Sequence, residues 1–193
     1  MGARAESRIE PAAGWVFLPA AGALVLHAPV LRFDLLRGLK RPIDGGLELG
    51  GRRLLGDNKT WRGAVVMFAG AVATTAALGR TRWFRERLPA GLAAAPAPAY
   101  GALLGLGLVG GELPTSFVKR RLGVAPGQRA ATWLRVPLAV YDQGDVVVVG
   151  ALALRPLWRP SRGELAGAFL TVSAVHLVFN LAGYLIGARE TAL

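Results

Sequence analysis

The chain has no cysteine, which excludes disulfides and thiolate metal sites. It has only two histidines, and neither a zinc-ligand spacing nor a Ser-His-Asp arrangement can be assembled from them. Charge is scarce as well: 18% of the 193 residues are Asp, Glu, Lys or Arg, against about a quarter in a soluble domain. Acids are scarcest of all, 12 against 23 basic residues, for a net charge of +11. In a soluble protein such an excess points to nucleic acid. Here the basic residues sit between long uncharged apolar runs, where anionic lipid headgroups are the nearer partner and nucleic acid is not expected. No internal repeat and no low-complexity tail is present.

The apolar content is 53% and the mean hydropathy +0.41. Runs without charge alternate with dense polar clusters, which marks an all-α integral membrane protein of about five transmembrane helices. Residues 1–193 are read as a single membrane-embedded domain. Apolar periodicity and charge place the spans at about 15–31, 63–79, 90–111, 144–158 and 165–188. Glu6 and Glu10 precede the first run and no small-residue cleavage site follows it, so it is read as a retained span and not a signal peptide. Pro96 and Pro98 should bend or shorten the third. Two long polar stretches, Arg32–Arg62 and Glu112–Asp145, are expected as cytoplasmic loops. That arrangement puts about 14 of the 23 Lys and Arg inside, with the N-terminus outside and the C-terminus inside the cell membrane.

Three polar constellations carry candidate chemistry. The first stretch holds Pro42, Asp44, paired glycines, and the run Gly56-Asp57-Asn58-Lys59-Thr60-Trp61-Arg62-Gly63. Glycines let backbone N–H groups approach an anion, and Lys59 and Arg62 add charge for phosphate oxygens; a solvated loop anchoring the next helix is the alternative. Walker spacing is missing, so this is not a P-loop. The second stretch holds Ser116 and Lys119-Arg120-Arg121, a topology signal or a phosphate site. It ends in Asp142-Gln143-Gly144-Asp145, whose carboxylates at i, i+3 share one helix face or turn. At a membrane edge such a pair is costly unless matched to a cation. Mg²⁺ fits, because it takes one or two carboxylates, keeps waters and bridges to phosphates; an acidic helix start is the bland reading. Third, His176, Asn180 and Tyr184 stand at i, i+4, i+8 on one stripe of the last span, as interhelical glue or as a site lining.

Taken together, Pro42-x-Asp44, Gly56-Asp57-x-Lys59-Thr60-x-Arg62-Gly63, Ser116-x-x-Lys119-Arg120-Arg121-Leu122-Gly123, Asp142-Gln143-x-Asp145 and His176-x-x-x-Asn180-x-x-x-Tyr184-x-x-Gly187 resemble the CDP-archaeol synthase family, itself similar to the phosphatidate cytidylyltransferases. The resemblance runs from about Trp15 onward. It implies a five-helix membrane enzyme that transfers CMP from CTP to a lipid phosphate with Mg²⁺, releasing pyrophosphate. The acceptor in archaea is digeranylgeranylglyceryl phosphate; a phosphatidate-like acceptor is the other candidate. No protein partner is implied.

On this resemblance Asp142 and Asp145 hold Mg²⁺, with Asp57 and Glu112 as further candidate ligands. Lys59, Arg62, Lys119, Arg120 and Arg121 neutralise the phosphates. Asp44, Asp57, Thr60, Ser116, His176, Asn180 and Tyr184 contact substrate. Three features depart from the family pattern: Gly144 where leucine is usual, a longer 128–136 segment, and Glu112 in place of a common aspartate. A small transporter for an anionic solute, or a non-catalytic anionic-lipid-binding protein, would share the basic clusters, but neither calls for the paired aspartates.

Overall fold

The computed structural model describes residues 11–126, 128 and 131–185. Within them, the side chains of 11, 132, 135, 136, 139, 141–143, 179, 180 and 182–185 lie outside the description, and with them Asp142, Asn180 and Tyr184. A 3-10 turn over Pro11–Phe17 leads into α1 (Leu18–Arg32). A small hairpin follows, β1 (Glu48–Leu49) and β2 (Arg52–Arg53). Helix α2 (Trp61–Leu78) is joined through the short α3 (Arg82–Arg85) and α4 (Ala90–Ala94) to α5 (Ala97–Arg121). Then come α6 (Thr132–Ala153) and α7 (Arg162–Leu185).

Among the described residues three helical segments are long and apolar enough to cross a membrane: Ala12–Arg32, Trp61–Leu78 and Ala97–Arg121. At about 1.5 Å per residue, the 22 residues of α6 and the 24 of α7 also reach across a bilayer core of about 30 Å, although the apolar part of α6 is Gly144–Ala153. Small residues decide how the helices meet. A Cβ at Gly70 would stand 3.0 Å from the Cα of Ala23, one at Gly101 2.7 Å from the Cα of Val72, and one at Gly107 2.6 Å from the Cα of Gly150. These contacts make α1/α2, α2/α5 and α5/α6 antiparallel pairs at backbone-to-backbone distance, where dispersion and not hydrophobic exclusion holds helices together in lipid. The core runs down α5 through Tyr100, Leu104 and Leu108, all buried. The Tyr100 hydroxyl donates to the Val16 carbonyl and ties the 3-10 turn to α5. Leu24, Val25, Leu106, Val148, Leu170 and Val178 are exposed large apolar side chains, suited to face acyl chains.

The first polar stretch is a loop as expected, but the second is not. Residues 112–121 continue α5 and 132–145 open α6, so the connection between them is short. Polarity marks where a chain leaves lipid; a helix stops only where its backbone is capped. Here the stop is a Schellman turn. Gly123 adopts φ 78°, its N–H bonds the Arg120 carbonyl at 3.2 Å, and the Val124 N–H bonds that of Lys119 at 2.9 Å. The helices over the expected spans 90–111 and 144–158 have other bounds, Ala97–Arg121 and Thr132–Ala153. Pro96 divides α4 from α5, and α6 ends before Trp158, whose indole N–H donates to Glu164 in the Ser161/Glu164 capping box of α7.

Candidate active site

The loop between α1 and α2 is organised on Asp44. Its buried carboxylate accepts from the backbone N–H groups of Gly46 (3.1 Å), Leu55 (2.9 Å) and Gly56 (3.3 Å) and from the Arg53 guanidinium (2.9 Å). Burial alone would raise its pKa. The donations from Leu55, Gly46, Arg53 and Gly56 outweigh that and bring it down to about 2. The anion that the glycine-rich loop cradles is therefore the chain's own Asp44. The remaining glycines turn the backbone: Gly50 (φ 59°) and Gly51 (φ 70°) form the two-residue turn of the β1–β2 hairpin. Gly56 (φ 105°) is a close approach, where a Cβ would meet Pro126 Cγ at 2.7 Å and Arg120 Nε at 3.0 Å.

The three arginines expected at phosphates, Arg62, Arg120 and Arg121, hold this loop in place. Arg121 donates to the carbonyls of Leu49, Arg52 (3.0 Å) and Arg53 (2.8 Å), and lies 5.3 Å over the Phe117 ring. Arg120 is buried and donates to the carbonyls of Leu55 (2.9 Å) and Val124. Arg62 is buried in the first turn of α2, donating to Asp34 (2.6 Å) and the Leu35 carbonyl (3.2 Å). Asp34 also pairs with Arg37 and Lys40, and the hydrogen bonds from Arg62 and Lys40 hold its carboxyl below the ordinary value. Asp57 is exposed and pairs with Arg53. Thr60 caps α2, its hydroxyl accepting from the Gly63 N–H at 3.2 Å.

Lys59 stands apart. Its ammonium pairs with Glu112 of α5 at 2.6 Å, at the mouth of a cleft of about 100 Å³ between α1, α2 and α5. The mouth is polar, with His27, Asn58, Lys59, Thr60 and Glu112; the floor is apolar, with Leu24, Met67 and Leu108. One turn further along α5, Thr115 donates to the Asp145 carboxylate of α6, and Ser116 is buried with its hydroxyl bonded to the Glu112 carbonyl at 2.8 Å. Helices α5 and α6 touch there: a Cβ at Gly111 would lie 3.1 Å from the Asp145 carbonyl oxygen. Lys59, Glu112, Thr115 and Asp145 are thus gathered at one end of the bundle, facing the hairpin loop.

Among the described residues no three His, Asp or Glu side chains form a metal cage. Mg²⁺ does not need one, since it uses one or two carboxylates with waters and substrate phosphates. Asp145 is partly buried at the helix crossing, and Asp142 lies one turn earlier on α6 with its side chain outside the described residues. His176 is exposed on α7, which packs against the 3-10 turn and α6, and it does not line the cleft.

This geometry is accompanied by close relatives. The CDP-archaeol synthase (CarS-like) family model matches residues 15–193. The chain belongs to the CDP-archaeol synthase family. It is 43% identical over 184 residues to the CDP-archaeol synthase of Halobacterium salinarum, covering 91% of this chain and 92% of that one. It is 38% identical over 160 residues to that of Methanopyrus kandleri, covering 80% and 81%. A solved structure of an intramembrane enzyme for archaeal membrane lipid biosynthesis superposes with a TM-score of 0.59 at 29% identity, over 86% of this chain and 91% of that one. As a member of the CDP-archaeol synthase family the chain is a multi-pass membrane cytidylyltransferase.

Within this CDP-archaeol synthase fold, sequence reasoning missed Asp34, Arg53, Thr115 and His27. Asp34 had a signal, an acid at the edge of a span, and so did His27, a polar side chain inside one. Arg53 and Thr115 had none. Of the departures, Glu112 keeps a carboxylate within reach of Lys59, and Gly144 faces open space, where a Cβ would meet nothing within 4 Å.

Proposed function

We propose that the chain transfers CMP from CTP to digeranylgeranylglyceryl phosphate, yielding a CDP-activated ether lipid and pyrophosphate. The observation that carries this reading is the Lys59–Glu112 pair at the mouth of a cleft that is polar above and apolar below, beside Asp145. The names of the relatives support the choice of acceptor.

An oxygen of the lipid phosphate attacks the α-phosphorus of CTP, and the bond to the β-phosphate breaks as pyrophosphate departs. The lipid phosphate is already nucleophilic, so the enzyme's task is to bring two polyanions together. Lys59 exchanges Glu112 for a phosphate oxygen and stabilises the charge that builds on the leaving group. Asp142 and Asp145 would hold Mg²⁺, which offsets charge on the triphosphate when bound. Arg62, Arg120 and Arg121 hold the loop that carries Lys59 and contribute a positive field at the mouth. The polar end faces the cytoplasm, where CTP is found, with the N-terminus outside and the C-terminus inside.

The test is an assay of purified protein in detergent with Mg²⁺ and radiolabelled CTP. Digeranylgeranylglyceryl phosphate and phosphatidate are offered separately. Label entering the organic phase with the ether lipid alone is the expected result. Label with phosphatidate alone would reassign the acceptor, and none with either, from folded protein, would overturn the reading.

A further inference from the structure

His27 sits in the C-terminal half of α1, in a run that is otherwise apolar. Its Nε2 is buried and has no hydrogen-bond partner within the protein. The ring lines the cleft mouth beside Lys59, Thr60 and Glu112, and its Cε1 would lie 4.0 Å from a Cβ on Gly63. Buried polar atoms are nearly always satisfied, so a nitrogen without a partner in a cleft wall points to a ligand.

Which ligand follows from the size and shape of the cleft. Sites that enclose drug-sized molecules run from ~300 to 1,000 Å³. A cleft of about 100 Å³, open at its mouth, has room for a phosphate or glycerophosphate headgroup. The floor is Leu24, Met67 and Leu108, and Leu24 is 41% exposed, continuous along α1 with the exposed apolar side chains of Val25 and Leu26. A headgroup held at His27 therefore has an apolar path for its chains along α1.

We infer that the cleft between α1, α2 and α5 seats the headgroup of the lipid phosphate acceptor, with the His27 Nε2 hydrogen-bonded to an oxygen of that headgroup. This rests on the function proposed above and assigns one side of Lys59 to the lipid, leaving the nucleotide to the side of α6 and Asp145. His27 is then a binding residue for one substrate only.

The experiment measures binding of digeranylgeranylglyceryl phosphate, CTP with Mg²⁺, and inorganic phosphate separately, by titration calorimetry on the full chain in detergent. Wild type, His27→Leu and His27→Gln are compared, since the Gln amide retains a polar group near the Nε2 position. His27→Leu is expected to weaken the lipid about tenfold or more and leave CTP unchanged, with His27→Gln recovering most of the loss. Unchanged lipid binding in His27→Leu would overturn the inference, as would a loss of CTP affinity instead. Inorganic phosphate binding as tightly as the lipid, and through His27, would overturn the lipid assignment. If His27→Leu fails to fold, a lipid phosphate with a diazirine beside its headgroup is photolysed on wild type. Adducts within 24–27 or 63–67 support the site, and adducts confined elsewhere refute it. CTP turnover measured in parallel separates the two proposals. Lipid bound through His27 without CMP transfer would sink the proposed reaction alone, and full turnover with His27→Leu binding lipid normally would sink this inference alone.

Discussion

At the scale of single residues, the site divides cations by what they hold. Arg120 and Arg121 spend their donors on backbone carbonyls, whereas Lys59 faces one carboxylate, Glu112, which the proposed reaction has it exchange for a phosphate. Lys59→Ala should therefore lower kcat for CMP transfer by about 10²-fold. It should scarcely move the detergent melting temperature, because a partly exposed pair is worth about 0–1 kcal/mol. Asp44 is the opposite case. Asp44→Asn removes the charge that four donors converge on, and is expected to cost roughly 1–3 kcal/mol of stability. Because the folded-state pKa is depressed to about 2 from 3.8, the carboxylate's contribution is complete above the unfolded value and lost as pH falls through the folded one. The gap in melting temperature between wild type and Asp44→Asn should be constant near neutrality and close as the pH is taken from about 4 towards 2. A gap that persisted at the acid end would refute the ionised role of Asp44.

At the scale of elements, the hairpin and the end of α5 form one unit. Arg121 reaches three carbonyls of the hairpin, and Arg52 returns a bond to the Arg121 carbonyl at 2.5 Å. A planar guanidinium serves several acceptors at once, which an ammonium on a flexible stem does not. Arg121→Lys should keep the charge but loosen the loop, raising amide exchange across residues 45–56 and lowering turnover together. Unchanged exchange with lost turnover would instead place Arg121 at a phosphate. The glycines of this loop were legible as a polar, flexible segment. Their use was not, because a Gly-Gly pair that turns a hairpin and one that wraps an anion have the same local composition. The second polar stretch was expected as a loop for a related reason: charge density reports contact with water, and the Schellman turn at Gly123 that ends α5 lies twelve residues beyond Gly111, where the uncharged run of that helix ends.

For the whole molecule, the antiparallel order of α1, α2, α5 and α6 brings the α1–α2 loop, the end of α5 and the start of α6 to one end of the bundle. The basic excess at that end predicts that it is cytoplasmic. A fluorescent-protein fusion at the C-terminus should fluoresce in cells, and an alkaline phosphatase fusion at the N-terminus should be active outside; the reverse pattern would overturn the orientation. What the sequence determined alone was membrane residence and the approximate position of the helices, since an apolar run long enough to span lipid is a local property of the chain. The motif residues also identified the family without coordinates. What only the tertiary structure decided was which motif residues meet each other: Lys59 with Glu112, Thr115 with Asp145, Arg121 with the hairpin carbonyls, and His27 with the cleft. The physical reason is that a guanidinium or imidazole binds whatever acceptor packing brings within 3 Å or so. Those acceptors lie on helices and loops up to 72 residues away in the chain, where no local pattern can specify them.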